Sequence, residues 1–430
     1  MTETSQTVDA ADTPPRNFAL QVLAKLGPGL VTGAADDDPS GIATYSQVGA
    51  QFGYRMGWTM VLSFPLMVAI QEIAARIGST TGHGIATNLR RHYPRWLLQG
   101  VIIALLVANI INLGADIAAM GDAAKLLIGG PMQLWAILIT AVSVLAESFL
   151  SYTRYSTILK WATLSLFAYV ATVLVAHVDW GAAAFGAFVP RLDSGSAAMT
   201  ALVAVLGTTI SPYLFFWQSS QEVEELHRRN HKALCIAPRA AGEELRRIRL
   251  DTLIGMGFSN LIAIFIMVAV AATLHAHGVR TINSSVQASS ALAPIAGRFA
   301  SIIFAFGIIG TGLLALPVLA GSAGYAVCET FGWNSGLDLK PKAARAFYGV
   351  IAGATLIGVI LAFSPLDPMK ALYWSAVVNG VLAAPLMVVM MLIASNGRIM
   401  GRLAISRGLK IVGWIATAVM AAAAVGMFVT

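Results

Sequence analysis

Charge is scarce in this chain. Asp, Glu, Lys and Arg make up 11% of its 430 residues, where a soluble domain carries about 25%, and that deficit excludes an ordinary soluble globule. Cysteine is scarcer still. Cys235 and Cys328 are the only two, which leaves no disulfide framework to build on. No Gly-x-x-x-x-Gly-Lys-Ser/Thr loop occurs, so the chain brings no P-loop ATPase, and no ATPase subunit is indicated as a partner. No His-Glu-x-x-His occurs either, which weakens a membrane metalloprotease. An enzyme is therefore not expected, nor a resident cofactor. The first sixteen residues lack the basic n-region of a cleaved signal peptide, so the first apolar span is expected to stay.

What the chain has in excess is apolar sequence, 57% of its residues. Runs of about 20 apolar residues recur from end to end, the pattern of a polytopic helical membrane protein. Eleven spans are predicted, near 24–50, 57–78, 97–128, 131–150, 157–177, 197–224, 251–275, 297–330, 344–363, 371–394 and 409–430. Residues 1–23 read as a polar cytoplasmic tail, 24–430 as one membrane domain, and Glu225 to Arg249 as the longest polar insertion. Charge placement tests the count. With the N-terminus inside, all but six of the 28 Lys and Arg residues fall on the cytoplasmic side; the exceptions are Arg55, Lys125, Arg191, Arg280, Arg298 and Lys370. That asymmetry predicts N-in, C-out and an odd number of spans.

Two spans are interrupted. The first contains Ala35-Asp36-Asp37-Asp38-Pro39-Ser40-Gly41, and the sixth contains Gly207-Thr208-Thr209-Ile210-Ser211-Pro212-Tyr213. Carboxylates inside a bilayer are costly and usually face a cavity or site. Pro39 and Pro212 each remove an intrahelical hydrogen bond, freeing carbonyls that need other partners. Broken helices at corresponding positions of two five-helix halves predict an all-α transporter with a 5+5 inverted repeat, an eleventh helix and a midplane site.

The residues at these breaks resemble the Nramp (natural resistance-associated macrophage protein) family of divalent metal transporters. Gly27-Pro28-Gly29 followed by Asp38-Pro39-Ser40-Gly41 is similar to its first-helix segment, usually ending Asp-Pro-Gly-Asn. Thr208-Thr209-Ile210-Ser211-Pro212-Tyr213 resembles its sixth-helix Ala-Thr-Val-Met-Pro-His, Ala115-Asp116-Ile117-Ala118 its Thr-Asp-Leu-Ala, and Arg398-Ile399-Met400-Gly401-Arg402 its Leu-Met-Gly loop. The resemblance implies a leucine-transporter-like fold with the ion between helices one and six.

The departures from that pattern shape the expected chemistry. Asp38 keeps its place, but the family's Asn is Gly41 and its Met is Ser211. Losing the thioether favours hard ions, and losing the Asn leaves space for a partly hydrated Mg2+. This pattern resembles the Nramp-related magnesium transporter branch. Asp38, Gly41, Thr208 and Ser211 are the expected ion-binding positions, shaped by Pro39, Ser40, Pro212 and Tyr213. Where the family carries two helix-six histidines, Tyr213 and Gln218 stand. Neither titrates near pH 7. Of the helix-three relay only Asp116 remains, Ala119 occupying the other position, so uncoupled import of Mg2+, with Mn2+ as well, is expected. The competing readings are proton-coupled Mn2+ or Fe2+ symport, a divalent cation channel, and an amino-acid carrier, the last disfavoured by a fixed anion where a substrate carboxylate would sit.

Further polar residues fall inside spans. Asp36 and Asp37 read as lining a water-filled vestibule. Gln218, Gln221 and Glu222 read as an inner exit, or Glu222, Glu224 and Glu225 as a solvated helix end. Asn260 and Asn379 read as water-mediated contacts to the ion or as interhelical hydrogen bonds. Gln71, Glu72 and Glu147 read as pairs inside the bundle, and His275-Ala276-His277 as an interfacial loop. The run Arg228-Arg229-Asn230-His231-Lys232 is expected to meet anionic lipid, not nucleic acid. A monomer in a bacterial inner membrane completes the expectation.

Overall fold

The computed structural model describes residues 28–149, 164–191 and 195–430, with the side chains of Leu30, Val31 and 147–149 also left aside. The expected tail (1–23), the start of the fifth span (157–163) and the Glu147 side chain therefore lie outside the described residues. The helices are α1 (Pro28–Asp36), α2 (Pro39–Phe52), α3 (Trp58–Thr81), α4 (Ile85–His92), α5 (Arg95–Ile128), α6 (Met132–Phe149), α7 (Phe167–Val175), α8 (Trp180–Phe188), α9 (Ser196–Thr209), α10 (Pro212–Arg228), α11 (Ala241–Val270), α12 (Ala300–Phe331), α13 (Arg345–Ala362), α14 (Pro368–Ser395) and α15 (Arg407–Val429). Among the described residues, eight helical stretches are long and apolar enough to cross a membrane. The broken pair α1/α2, the shorter α6 and α7 lie at three further predicted spans.

Packing shows the repeat. The first span, α1 and α2, lies against α11, and its counterpart, the sixth span of α9 and α10, lies against α3. The α5–α14 contact has its mate where α12 meets the turn Leu164–Leu166 ahead of α7. Helix α15 stands outside this symmetry, on α14, α3 and α9.

The polar stretch from Glu225 to Arg249 is not one long insertion. Helix α10 runs on to Arg228 and α11 already begins at Ala241. Charge does not end these helices because it is paired along them: Arg229 with Glu225 at 2.5 Å and Arg247 with Glu244 at 2.7 Å, at i,i+4 and i,i+3. Two short helices were also absent from the sequence reading. In α8, Asp179 caps the start through Ala182 N–H at 2.9 Å. In α4, Arg90, Arg91 and His92 stand at the C-terminal end, where cations suit the helix dipole.

Glu72 pairs with Arg76 at 2.5 Å, as expected of a charge inside the bundle. His275 is not in a loop. It closes a π turn that extends α11, and its Nδ1 donates to the Ala50 carbonyl at 2.7 Å, fixing the end of the first span.

Candidate functional site

The two prolines do not kink continuous helices. Pro39 and Pro212 occupy the first turn of α2 and α10, where a fixed φ and a missing N–H cost nothing. Each span is thus two helices with an extended joint, and the residue before each proline is held extended: Asp38 at ψ 171° and Ser211 at ψ 133°. Asp38 caps α2, its Oδ1 accepting from Gly41 N–H at 2.7 Å.

The other carboxylate oxygen meets two further elements. Asp38 Oδ2 accepts from Asn112 Nδ2 of α5 at 3.0 Å and from the Tyr213 hydroxyl of α10 at 3.1 Å. The same Asn112 amide lies 3.3 Å from Asp116 Oδ2, while its Oδ1 accepts from Ser375 Oγ at 2.9 Å and Asn379 Nδ2 at 3.3 Å, both on α14. Asp38, Tyr213, Asp116 and Asn379 are therefore joined through one amide. Asn112 was not singled out from sequence.

Ser211 stands across the joint, and its Oγ lies 2.9 Å from both the Gly207 and Thr208 carbonyls at the end of α9. Its hydroxyl proton serves carbonyls that the break frees, and its lone pairs stay available. Thr208 Oγ1 and Ser40 Oγ are buried without a hydrogen-bond partner. Gly41 is less roomy than the sequence implied. A Cβ there would lie 3.2 Å from Thr208 Oγ1 and 3.4 Å from the Asp36 carbonyl and the Tyr45 ring. The approach of α9 fills the space that a larger side chain would use.

Asp36 and Asp37 do not line an open vestibule. Both are at most 2% exposed, and Ser259 Oγ of α11 lies 2.5 Å from Asp36 Oδ2 and 3.2 Å from Asp37 Oδ1. Asn260, its neighbour, is buried with Oδ1 unpartnered and has no hydrogen bond to the Asp38 cluster. The sequence pointed one residue too far. The Ser259 contact is the last rung of a ladder. One turn earlier, a Cβ on Gly33 would lie 2.3 Å from the Gly255 carbonyl group, and a turn before that Gly29 N–H donates to Asp251 Oδ2 at 2.8 Å. Steps of four on both segments put α1 parallel to α11 and in backbone contact with it, as small residues allow within a membrane.

Gln218 and Glu222 neither line an open exit nor form a solvated end. Thr32 Oγ1 donates to Gln218 Oε1, and Gln218 Nε2 donates to Glu222 Oε1 at 3.2 Å. Glu222 in turn meets Arg247 at 2.5 Å, and Arg247 also faces Glu244 at 2.7 Å and Asp251 at 3.7 Å. This network ties α1, α10 and α11 together at the basic end of the bundle. Nearby, Gln221 Nε2 donates to Tyr325 at 3.0 Å, and Tyr325 donates to Glu224. Glu329 accepts from Ser220 Oγ at 2.8 Å and Thr87 N–H at 2.9 Å, linking α12, α10 and α4. Among the described residues no three His, Cys, Asp or Glu side chains form a ready-made metal cage.

Two broken spans, packed as repeat mates around a buried carboxylate, define a membrane transporter of the leucine-transporter-like fold. Solved structures share that architecture. The manganese transporter of Eremococcus coleocola superposes with a TM-score of 0.74 at 16% identity, over 96% of this chain and 88% of its own. MhsT, solved with L-phenylalanine, gives 0.59 at 11% identity over 93% and 97%. In sequence, residues 29–430 match the family described as natural resistance-associated macrophage protein-like, Nramp, and the chain belongs to that family. The divalent metal cation transporter MntH of Klebsiella pneumoniae is 28% identical over 406 residues, covering 93% of this chain and 92% of that one. Its Deinococcus radiodurans counterpart is 26% identical over 416 residues, covering 94% and 88%.

Proposed function

We propose that this chain imports divalent metal cations by alternating access, taking Mg2+ in partly hydrated form first, Mn2+ as well, without moving a coupled proton. The observation that carries the reading is Asp38. It is the carboxylate at the joint that faces α5 and α10, held by the Gly41 N–H, the Asn112 amide and the Tyr213 hydroxyl, with no cage of three acidic, His or Cys side chains among the described residues to replace a hydration shell. Mg2+ prefers oxygen ligands and keeps several waters. The named substrates of the relatives, divalent metal cations and manganese, support the ion class. Asp38, the Gly41 segment, Thr208 and Ser211 would contact the ion, and the Arg247 network would close the basic, cytoplasmic end. The reading takes the protein as a monomer in a bacterial inner membrane, N-terminus inside.

Absence of coupling rests on Tyr213 and Gln218, which hold structural hydrogen bonds and do not titrate near neutral pH. A divalent ion gains about 4.6 kcal/mol in crossing 100 mV, a sufficient driving force by itself. The second reading, proton-coupled Mn2+ or Fe2+ uptake, has one observation in its favour: Asp116 is buried and joined to Asp38 through Asn112.

Proteoliposomes with a pH dye inside separate these readings. Mg2+ should enter at inside-negative potential without acidification. Mn2+ entry with acidification and no Mg2+ entry would overturn both ion and coupling, and unitary currents would make the protein a channel. Ser211→Met should raise uptake of Mn2+ relative to Mg2+ about tenfold, since a thioether suits the softer ion. An unchanged ratio in competition assays removes Ser211 from the selectivity filter.

A further inference from the structure

We infer that Asn112 is an ion ligand, contributed by α5 through rotation of its side-chain amide; the inference rests on the functional reading above and deepens it. In the structure Asn112 turns its Nδ2 toward Asp38 Oδ2, at 3.0 Å. An ion held by Asp38 would need electron pairs from that direction, and an N–H donor facing it would be repelled. Rotation about the terminal side-chain bond replaces Nδ2 by Oδ1 with little displacement. Two adjacent oxygens of an octahedral Mg2+ shell, each about 2.1 Å from the metal, lie about 3 Å apart, so the amide is already at ligand spacing from Asp38.

The other side of the amide is built to accept the exchange. After rotation Nδ2 faces α14, where Asn112 Oδ1 now accepts from Ser375 and Asn379. Ser375 Oγ also lies 2.7 Å from the Leu372 carbonyl. Its single proton can stay on Leu372 while a lone pair accepts from Asn112. Asn379 Oδ1 is buried without a partner, and turning that amide as well supplies a second acceptor. Two contacts of Nδ2 are given up, the hydrogen bond to Asp38, which the ion replaces, and the long 3.3 Å contact to Asp116. Both orientations are therefore satisfied on the α14 side, and the ion selects between them. The same rotation reports ion occupancy to α14, a helix that carries none of the ion contacts assigned above.

The test is titration of Mg2+ and of Mn2+ into the purified full-length protein, wild type beside Asn112→Leu, Asn112→Asp and Asp38→Ala. Asn112→Leu keeps the size and removes both polar atoms; it should weaken binding at least tenfold. Asn112→Asp keeps an oxygen and removes the amide donor; it should bind at least as tightly as wild type. Loss of binding in both variants would mean that the N–H merely holds Asp38 in place, and wild-type affinity in Asn112→Leu would mean no role at all. Either result overturns the inference. If Asn112→Leu does not fold, weakened binding by Asn112→Asp overturns it alone. Failure of the underlying reading looks different: wild type would bind neither ion, or Asp38→Ala would bind as well as wild type.

Discussion

Asp38→Asn is expected to lower Mg2+ and Mn2+ uptake at least 100-fold, with the protein still monodisperse. The substitution preserves shape and removes the negative charge. At 4 Å and an effective dielectric of 20, a unit charge pair is worth about 4 kcal/mol, so a divalent ion loses about 8 kcal/mol of attraction. Desolvation offsets part of that, yet a third of it already gives two decades. The loss is compounded locally. Asp38 Oδ2 accepts from two donors, Asn112 and Tyr213; Asn in its place must set an NH2 against them or against Gly41 N–H. Flux in proteoliposomes reads the effect, and uptake within tenfold of wild type would take Asp38 out of the binding site.

Arg247→Met should release the basic end of the bundle. Arg247 is the cation between Glu222, Glu244 and Asp251, and Glu222 is fully buried. Removing one member of a buried ionic cluster typically costs about 3–5 kcal/mol, because the remaining charges are left uncompensated. Water entering the seam is the cheapest relief, and it requires α1 to leave α10 and α11. The open population should then rise by about two to four decades. Hydrogen exchange of the 29–36 amides should accelerate accordingly, and Glu222→Gln in the same chain should restore part of the protection. Unchanged exchange in Arg247→Met would show that α1 stays docked without this cation.

The sequence reveals the spans and both breaks for plain physical reasons. Apolar runs of membrane length admit one conformation, and Asp38-Pro39 and Ser211-Pro212 cannot continue a helix. Pairing across the bundle is less legible. Asn112 sits in a long apolar helix, and helical spacing does not say which neighbour it faces. Ser259 and Asn260 are adjacent, so one residue of helix phase decides which reaches Asp36. Arg247 lies in a charged stretch that reads as loop until its partners on α10 and α11 are seen. One available signal went unused: Gly29, Gly33 and Asp37 share a spacing of four with Asp251, Gly255 and Ser259, a stripe on each of two helices.

That stripe has a consequence for how the seam between α1 and α11 opens. At Gly33 the two backbones meet with no side chain between them. Long side chains can stretch, swing and keep partial contact as helices separate, but peptide planes have no such give. Contact at Gly33 forfeits up to about half of its van der Waals attraction within about an ångström of displacement. Half-closed positions of α1 are therefore held by the side chains of Asp251, Ser259 and Gln218 and no longer by the backbone contact. The backbone contact at Gly33 thus favours the fully shut seam over any partly open one.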